Sequence, residues 1–221
     1  MKILGVDEAG KGCVIGSLFI CGYLIDEKKL PLLQKWRVRD SKLVLPKRRE
    51  FLEKKLKKLA DDFILIKLSA MDIDKLRTET NLNKIWIGKI QEIINDIKPQ
   101  KVFVDALEVN TEKLKRKIIS GLKEDLKGIE IICENFADKK YPIVGAASIV
   151  AKVNRDAEIK NLHKKFGFFG SGYTSDPRTI KFLKDWIEKN RQFPYFVRRS
   201  WVTARELKKE KIQKTIKDYW H

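Results

Sequence analysis

Four acidic side chains define the chemistry this sequence can do. Asp7 and Glu8 end an apolar run, MKILGVD, and lead into a flexible AGKG turn. Asp105 ends a second run, VFVD, and Asp138 stands in ENFADKKYP just before Pro142. If the two runs are parallel neighbouring strands, their C-terminal ends lie about 5 Å apart. Carboxylates that close repel one another unless a proton or a cation sits between them. Oxygen ligands with no histidine cluster favour Mg2+ or Mn2+ over zinc. Metal-assisted phosphodiester hydrolysis is the matching reaction, with one ion activating a water and another stabilising the leaving oxygen. Two of the four acids stay open at this point. Asp138 could cap the helix that follows it. Glu8 points away from Asp7 in a regular strand and joins the site only if the chain curls at AGKG. A plain strand exit with solvated acids is the bland alternative for Asp7 and Glu8. His163 and His221 are too isolated to serve as catalytic bases.

The stretch GVDEAGKG also has the spacing G-x-x-x-x-G-K-G, one letter short of a nucleotide-cradling loop. Such a loop needs a Ser or Thr hydroxyl for Mg2+ and offers backbone N–H groups to phosphate. Gly12 fills the hydroxyl position, and Asp7 and Glu8 would place two negative charges inside an anion cradle. The stretch reads better as a metal-binding strand end with open glycine backbone beside it.

The elements that must position these acids follow from periodicity. Strand-like runs occupy 2–7, 14–25, 63–68, 101–105 and 128–133, and the last two alternate with helices as parallel strands do. Helical spacing covers 46–60 (Leu52, Leu56 and Leu59 on one face), 81–97 (Leu82, Trp86, Ile90, Ile93, Ile97), 142–165 and about 176–190. The small residues GAAS in the third of these allow close packing on a sheet. Strand 2–7, with an antiparallel hairpin on one side and a parallel strand on the other, would be the point where strand order reverses and ligands bind. The fold class is α/β, with a catalytic domain over 1–190 and a basic helical C-terminal subdomain over 191–221. From Pro177 onward thirteen Lys/Arg face five Asp/Glu.

Composition narrows the partner. The 221 residues carry 48 Lys+Arg against 30 Asp+Glu, a formal charge of +18, which points to nucleic acid. A general solubility charge is the competing explanation. An anionic membrane fits less well, because no basic amphipathic segment has a dense aromatic face. No run of about 18 apolar residues exists, and acids arrive too early for a signal peptide. The expected location is cytoplasmic, without membrane contact. Cys13, Cys21 and Cys133 form no C-x-x-C pair and read as buried thiols. The alternative function class is a non-catalytic basic nucleic-acid-binding protein, which would need no clustered acids and would be weakened by them.

Seven segments in register resemble one family. VDEAGKG, RDSKLVLPKRRE at 39–50, NLN at 81–83, VFVDA at 102–106, ADKKYPIVGAASIVAKVNRD at 137–156, GSGYTSDPRT at 170–179 and VRRSWVT at 197–203 are similar to the motifs of ribonuclease HII, the type 2 ribonuclease H, in its archaeal form. The resemblance implies a ribonuclease H-like fold, a five-stranded mixed sheet flanked by helices, with a small helical C-terminal subdomain. It implies an endoribonuclease, expected as a monomer, that hydrolyses the RNA strand of RNA–DNA hybrids and incises 5′ of ribonucleotides embedded in duplex DNA. The ends left are 3′-hydroxyl and 5′-phosphate. The family's four metal ligands fall on Asp7, Glu8, Asp105 and Asp138. Its glycine-flanked element falls on Gly10, Lys11 and Gly12, whose backbone would approach the ribonucleotide's 2′-hydroxyl. Lys11 replaces the usual arginine, which keeps backbone contacts and removes any bidentate guanidinium contact. Tyr173 matches a tyrosine that stacks on the sugar at the RNA-to-DNA junction; a loop aromatic packed on the core is its plainer reading. Lys42 and Lys152 match positions near substrate phosphates, and Cys13 stands where proline is usual.

The tail carries a separate signal. Gln213, Ile216, Tyr219 and Trp220 have the spacing Q-x-x-I-x-x-Y-W, similar to the peptide that docks on the replication sliding clamp. The last three would form one helical turn of anchors in a groove. An amphipathic terminal helix packed on its own domain is the alternative.

Overall fold

The computed structural model describes residues 1–38, 45–106 and 109–219, with side chains as far as residue 213. Five strands form one sheet: β1 (Lys2–Ala9), β2 (Leu18–Asp26), β3 (Asp62–Leu68), β4 (Lys101–Asp105) and β5 (Glu130–Glu134), in the order β3-β2-β1-β4-β5. Strand β1 pairs antiparallel with β2 and parallel with β4, and β4 is parallel to β5, so the sheet is mixed. The helices are α1 (Leu30–Lys35), α2 (Pro46–Leu59), α3 (Ala70–Leu76), α4 (Leu82–Ile97), α5 (Thr111–Ser120), α6 (Ala137–Lys140), α7 (Pro142–Phe166), α8 (Pro177–Lys189) and α9 (Val202–Tyr219). The expected strand-order reversal is present at β1, whose residues Ile3, Leu4 and Val6 are buried as a central strand requires.

The expected strand at 14–25 starts late, at Leu18. The reason is competition for backbone groups. The N–H groups of Val14 and Ile15 donate to the Gly172 carbonyl, and that of Gly16 donates to Phe196, so these residues are pinned to loops and not to the sheet. Helices α3 and α5 are short, and side chains start them. Ser69 and Asp72 form a reciprocal capping box at α3, and Asn110 accepts the Lys113 N–H at α5.

The chain divides into two compact units. The first comprises Met1–Ala9, Phe19–Lys67 and Leu82–Asn154 and contains the sheet. Helix α4 buries Ile85, Trp86, Ile90, Ile93 and Ile94 on its apolar face, each worth roughly 1.5–3 kcal/mol of transfer free energy. Helix α2 buries Leu52 and Leu56 and leaves Lys47, Arg48, Lys54, Lys55, Lys57 and Lys58 exposed, as its periodicity indicates. The GAAS patch of α7 is fully buried, and contact with β1 is close: a Cβ on Gly5 would run into the Ile143 carbonyl.

The second unit comprises Gly10–Leu18, Leu68–Asn81 and Arg155 onward. Its core joins Val14, Ile15, Phe169, Leu183, Phe196 and Leu207. Phe193, Phe196, Val197, Ala204 and Leu207 pack in the same core as Ile159, Leu183 and Ile187. Lys211 of α9 donates its ammonium to the carbonyls of Ile187, Glu188 and Asn190, closing the C-terminus of α8.

Candidate active site

The register of the sheet sets up the first part of the site. Val6 pairs with Val104 in the parallel ladder, so Asp7 and Asp105 follow as the next residues on adjacent strands. Asp138 arrives from α6, which begins after Phe136 in a left-handed conformation (φ 59°). The Ala137 N–H donates to Asp105 Oδ1 at 2.8 Å, tying the α6 turn to the end of β4. Asp7, Asp105 and Asp138 each offer a carboxylate oxygen, all within 4.8 Å of one another. Asp7 is 4% exposed and Asp138 5%.

Such packing of acids is electrostatically unstable without a counter-charge. Burial pushes the Asp7 carboxyl up to about 7, and the neighbouring Asp105 adds to the rise. The Lys152 ammonium, a Ser148 hydrogen bond and the Glu8 N–H, 2.7 Å from Asp7 Oδ1, offset this only in part. Lys152 is held by its own hydrogen bond to Ser148 Oγ, one helical turn earlier on α7. A cluster of hard oxygen donors, with Asp7 and Asp138 buried, suits a divalent ion such as Mg2+ or Mn2+.

Glu8 is placed differently. Its carboxylate accepts a hydrogen bond from the Trp86 indole N–H at 3.0 Å, from α4. The alternation of β1 thus sends Asp7 and Glu8 to different partners, as a regular strand does. Among the described residues, the group of three acids that could share an ion is Asp7, Asp105 and Asp138.

The second unit holds a separate group of the expected residues. Gly10 has φ +85°, and a Cβ there would sit 2.6 Å from the Ser17 carbonyl oxygen, so only glycine fits. Gly12 is exposed, and the atom nearest to a Cβ at that position is Tyr173 Cε1 at 3.8 Å. Two residues far apart in sequence, both expected to touch substrate, therefore lie side by side. Cys13 and Tyr173 form an antiparallel bridge, and the Arg155 guanidinium lies 5.1 Å from the centre of the Tyr173 ring. Burial raises the Tyr173 phenol to about 12, so it stays protonated at neutral pH. The turn carrying Tyr173 is fixed by Asp176, which accepts from Ser171 N–H at 2.8 Å and from Arg178 Nε and Nη2 at 2.9 Å.

Of the expected substrate contacts, Lys152 stands at the carboxylates, Gly12 and Tyr173 adjoin one another, and Lys42 lies outside the described residues. Of the expected tail anchors, Gln213 is exposed; the side chains of Ile216 and Tyr219, and Trp220 as a whole, also lie outside them. His163 accepts a structural role, its Nε2 lying 2.9 Å from the Gly170 carbonyl and its ring against Phe169. The three cysteines are free and buried. Trp86 reads in sequence only as an apolar helix residue, and Ser148, Arg155 and Arg198 are not singled out by spacing. Ser148 alone had a signal, the i,i+4 relation to Lys152. Among the described residues, no helix is long and apolar enough to cross a membrane.

Residues 4–204 match the family model for ribonuclease HII. The ribonuclease HII of Methanothermobacter thermautotrophicus is 45% identical, over 94% of this chain and all of that protein. The crystal structure of the ribonuclease H2 from Pyrococcus horikoshii superimposes with a TM-score of 0.87 at 42% identity, covering 95% of this chain and 98% of that one. A ribonuclease HII solved in complex with PCNA, from Archaeoglobus fulgidus, gives 0.82 at 41% identity over 93% and 96% of the two chains. The acids gathered at the ends of β1 and β4 thus sit in a fold and a sequence shared along almost the entire length, and the chain belongs to the ribonuclease HII family.

Proposed function

We propose that this ribonuclease hydrolyses the RNA strand of RNA–DNA hybrids and incises duplex DNA on the 5′ side of embedded ribonucleotides, leaving 3′-hydroxyl and 5′-phosphate ends. The observation that carries the reading is the convergence of Asp7, Asp105 and Asp138 within 4.8 Å, at the C-terminal ends of parallel neighbours and in α6. Divalent ions, Mg2+ or Mn2+, would supply an activated water and stabilisation of the leaving oxygen. Asp7, Asp105 and Asp138 would hold them and Glu8 would serve as the fourth ligand; one Glu8 carboxylate oxygen accepts from the Trp86 indole N–H. Lys152 offsets negative charge at the same place and can meet a substrate phosphate. In the second unit, the backbone of Gly10, Lys11 and Gly12 faces the 2′-hydroxyl, and Tyr173 stacks on the sugar of the junction nucleotide.

One gel tests this. A duplex with a single embedded ribonucleotide is incubated with Mg2+ or with chelator. Metal-dependent incision on the 5′ side of the ribonucleotide is expected. Binding without cleavage in either lane would instead identify a basic nucleic-acid-binding protein.

A sliding clamp is the proposed protein partner, supported by the A. fulgidus relative solved with PCNA and by the Gln213, Ile216, Tyr219, Trp220 spacing. Truncation after Lys211 keeps the contacts that close α8 and removes the motif. Clamp affinity should be lost while hydrolysis of short substrates persists; unchanged affinity removes the idea.

A further inference from the structure

The loop over residues 10–18 is held from behind by one buried cation. Arg198 has 0% exposure. Its Nη2 donates to the Gly10 carbonyl at 2.6 Å, Nη1 to the Lys11 carbonyl at 2.8 Å and Nε to the Gly16 carbonyl at 2.9 Å. Its own N–H donates to the Val14 carbonyl at 2.9 Å, and Ile15 bridges to Val197. The guanidinium lies 4.8 Å from the centre of the Trp201 ring. Ser17, at the far end of the loop, gives its N–H and hydroxyl to Glu158 at 2.8 and 2.6 Å.

These bonds dictate which way the loop faces. No peptide in the described chain is cis. In a planar trans peptide, the C=O of one residue and the N–H of the next point in opposite directions. With the carbonyls of Gly10 and Lys11 drawn onto Arg198, the N–H groups of Lys11 and Gly12 must face away from it. Gly10 is buried and Gly12 exposed, so that opposite side is the solvent side, beside the Tyr173 ring.

We propose that Arg198 is a positioning residue for ribonucleotide recognition: it fixes the carbonyls of Gly10 and Lys11 inward and thereby presents the Lys11 and Gly12 N–H groups to the 2′-hydroxyl. The assignment rests on the reading of this segment as the 2′-hydroxyl sensor and goes beyond it by naming what sets the segment's orientation. With no exposed surface, Arg198 acts through the loop and not on the substrate directly. The planar, three-nitrogen fork matters because the acceptors belong to three different residues. A lysine ammonium in the same place is a point charge that cannot span Gly10, Lys11 and Gly16 together.

The experiment compares wild type with Arg198→Lys and Arg198→Met. Affinity is measured, in chelator, for a duplex with one embedded ribonucleotide and for the all-DNA duplex of the same sequence. Metal binding to the carboxylates is followed separately by calorimetry, and folding by melting temperature. Arg198→Lys, which keeps the buried charge, is the deciding variant if Arg198→Met does not fold. The expected result is a fall of about tenfold in preference for the ribonucleotide. Affinity for the all-DNA duplex and for Mn2+ should stay within about twofold, because phosphate contacts and the carboxylates are untouched. A merely structural role would weaken both duplex affinities together and leave their ratio unchanged. Full preference retained in folded Arg198→Lys overturns the role of Arg198 alone. Absence of any preference in the wild type overturns both this role and the sensor reading beneath it.

Discussion

At Asp7, Asp105 and Asp138 the protein gathers carboxylates, and the neighbouring Lys152 only partly offsets the cost of burying Asp7. At Gly10 to Gly12 it does the reverse, offering neutral backbone outward and burying behind it a guanidinium whose three nitrogens each donate to a carbonyl. The first arrangement is, in the proposed function, completed by a metal ion. The second is finished within the chain, and its ligand adds to something already satisfied. The difference teaches where stability and function oppose each other. Buried like charges weaken the metal-free fold, so removing them should cost activity and gain stability. Removing a satisfied buried cation leaves carbonyls without donors, so it should cost both.

The largest effect should come from the acids. Asp7→Asn together with Asp105→Asn is expected to lower the cleavage rate by about 10³-fold or more, since neither amide can replace a carboxylate at a divalent ion. In chelator at pH 8 the same variant should melt a few degrees above wild type, given the ~2–4 °C per kcal/mol expected for a chain of this size. Cutting at the wild-type rate would break the account of this centre. Unchanged melting with lost activity would mean that solvent or Lys152 already relieves the repulsion.

A second test uses pH. The Asp7 carboxyl sits at about 7 in the metal-free protein, above its ordinary value, chiefly because it is buried. Folding therefore takes up a proton between the ordinary carboxylate range and pH 7. This contribution is fully present below that range and is lost as pH rises through about 7. An incoming cation must displace that proton. Calorimetric Mn2+ affinity should fall by roughly tenfold per pH unit below 7 and level off above it. The loop holds no such acid, so affinity of the metal-free protein for an all-DNA duplex should not show this break at 7.

Tyr173 sharpens the other side. Tyr173→Ala removes the ring beside Gly12 and under Arg155, and should raise KM for an embedded ribonucleotide by roughly tenfold, from base or sugar stacking worth about 1–3 kcal/mol. Tyr173→Phe keeps the ring and should stay within about threefold. Equal losses in both variants would move the role from the ring to the phenol.

The two regions were unequally legible in sequence. Strand ends carrying Asp7 and Asp105 could be found because period, length and a terminal acid coincide in MKILGVD and VFVD. Parallel pairing then brought them together with no further information. The glycines of the loop were visible as a motif, yet nothing local says that Arg198 lies behind them, some 182–188 residues away along the chain. Of two adjacent arginines, Arg198 and Arg199, one is wholly buried and the other is not, and spacing cannot choose between them. The late start of β2 has the same origin: Val14 and Ile15 have strand character, and their backbone is taken by Gly172. Local periodicity encodes elements; long-range hydrogen bonds to irregular backbone leave no period to read.

The smallest effect falls on Trp86, which reads in sequence as one more apolar residue of α4. The structure gives its indole N–H to Glu8 at 3.0 Å, on a side chain only 1% exposed. Trp86→Phe keeps an aromatic ring in the core and removes the donor. Glu8 is half-buried, so water can replace part of what is lost. Mn2+ affinity should drop by only about threefold, within the range of one net hydrogen bond. The sharper readout is optical. A buried indole bonded to the carboxylate proposed as the fourth metal ligand should change its emission as Mg2+ is added to wild type, and that change should vanish in Trp86→Phe. If wild-type emission responds and the variant responds equally, the signal comes from another tryptophan and Glu8 is not held for the ion by Trp86. If the response is lost along with more than about tenfold in affinity, Glu8 carries more of the metal than the cluster of Asp7, Asp105 and Asp138 implies, and the first region, not the second, is the one that depends on a distant positioning residue.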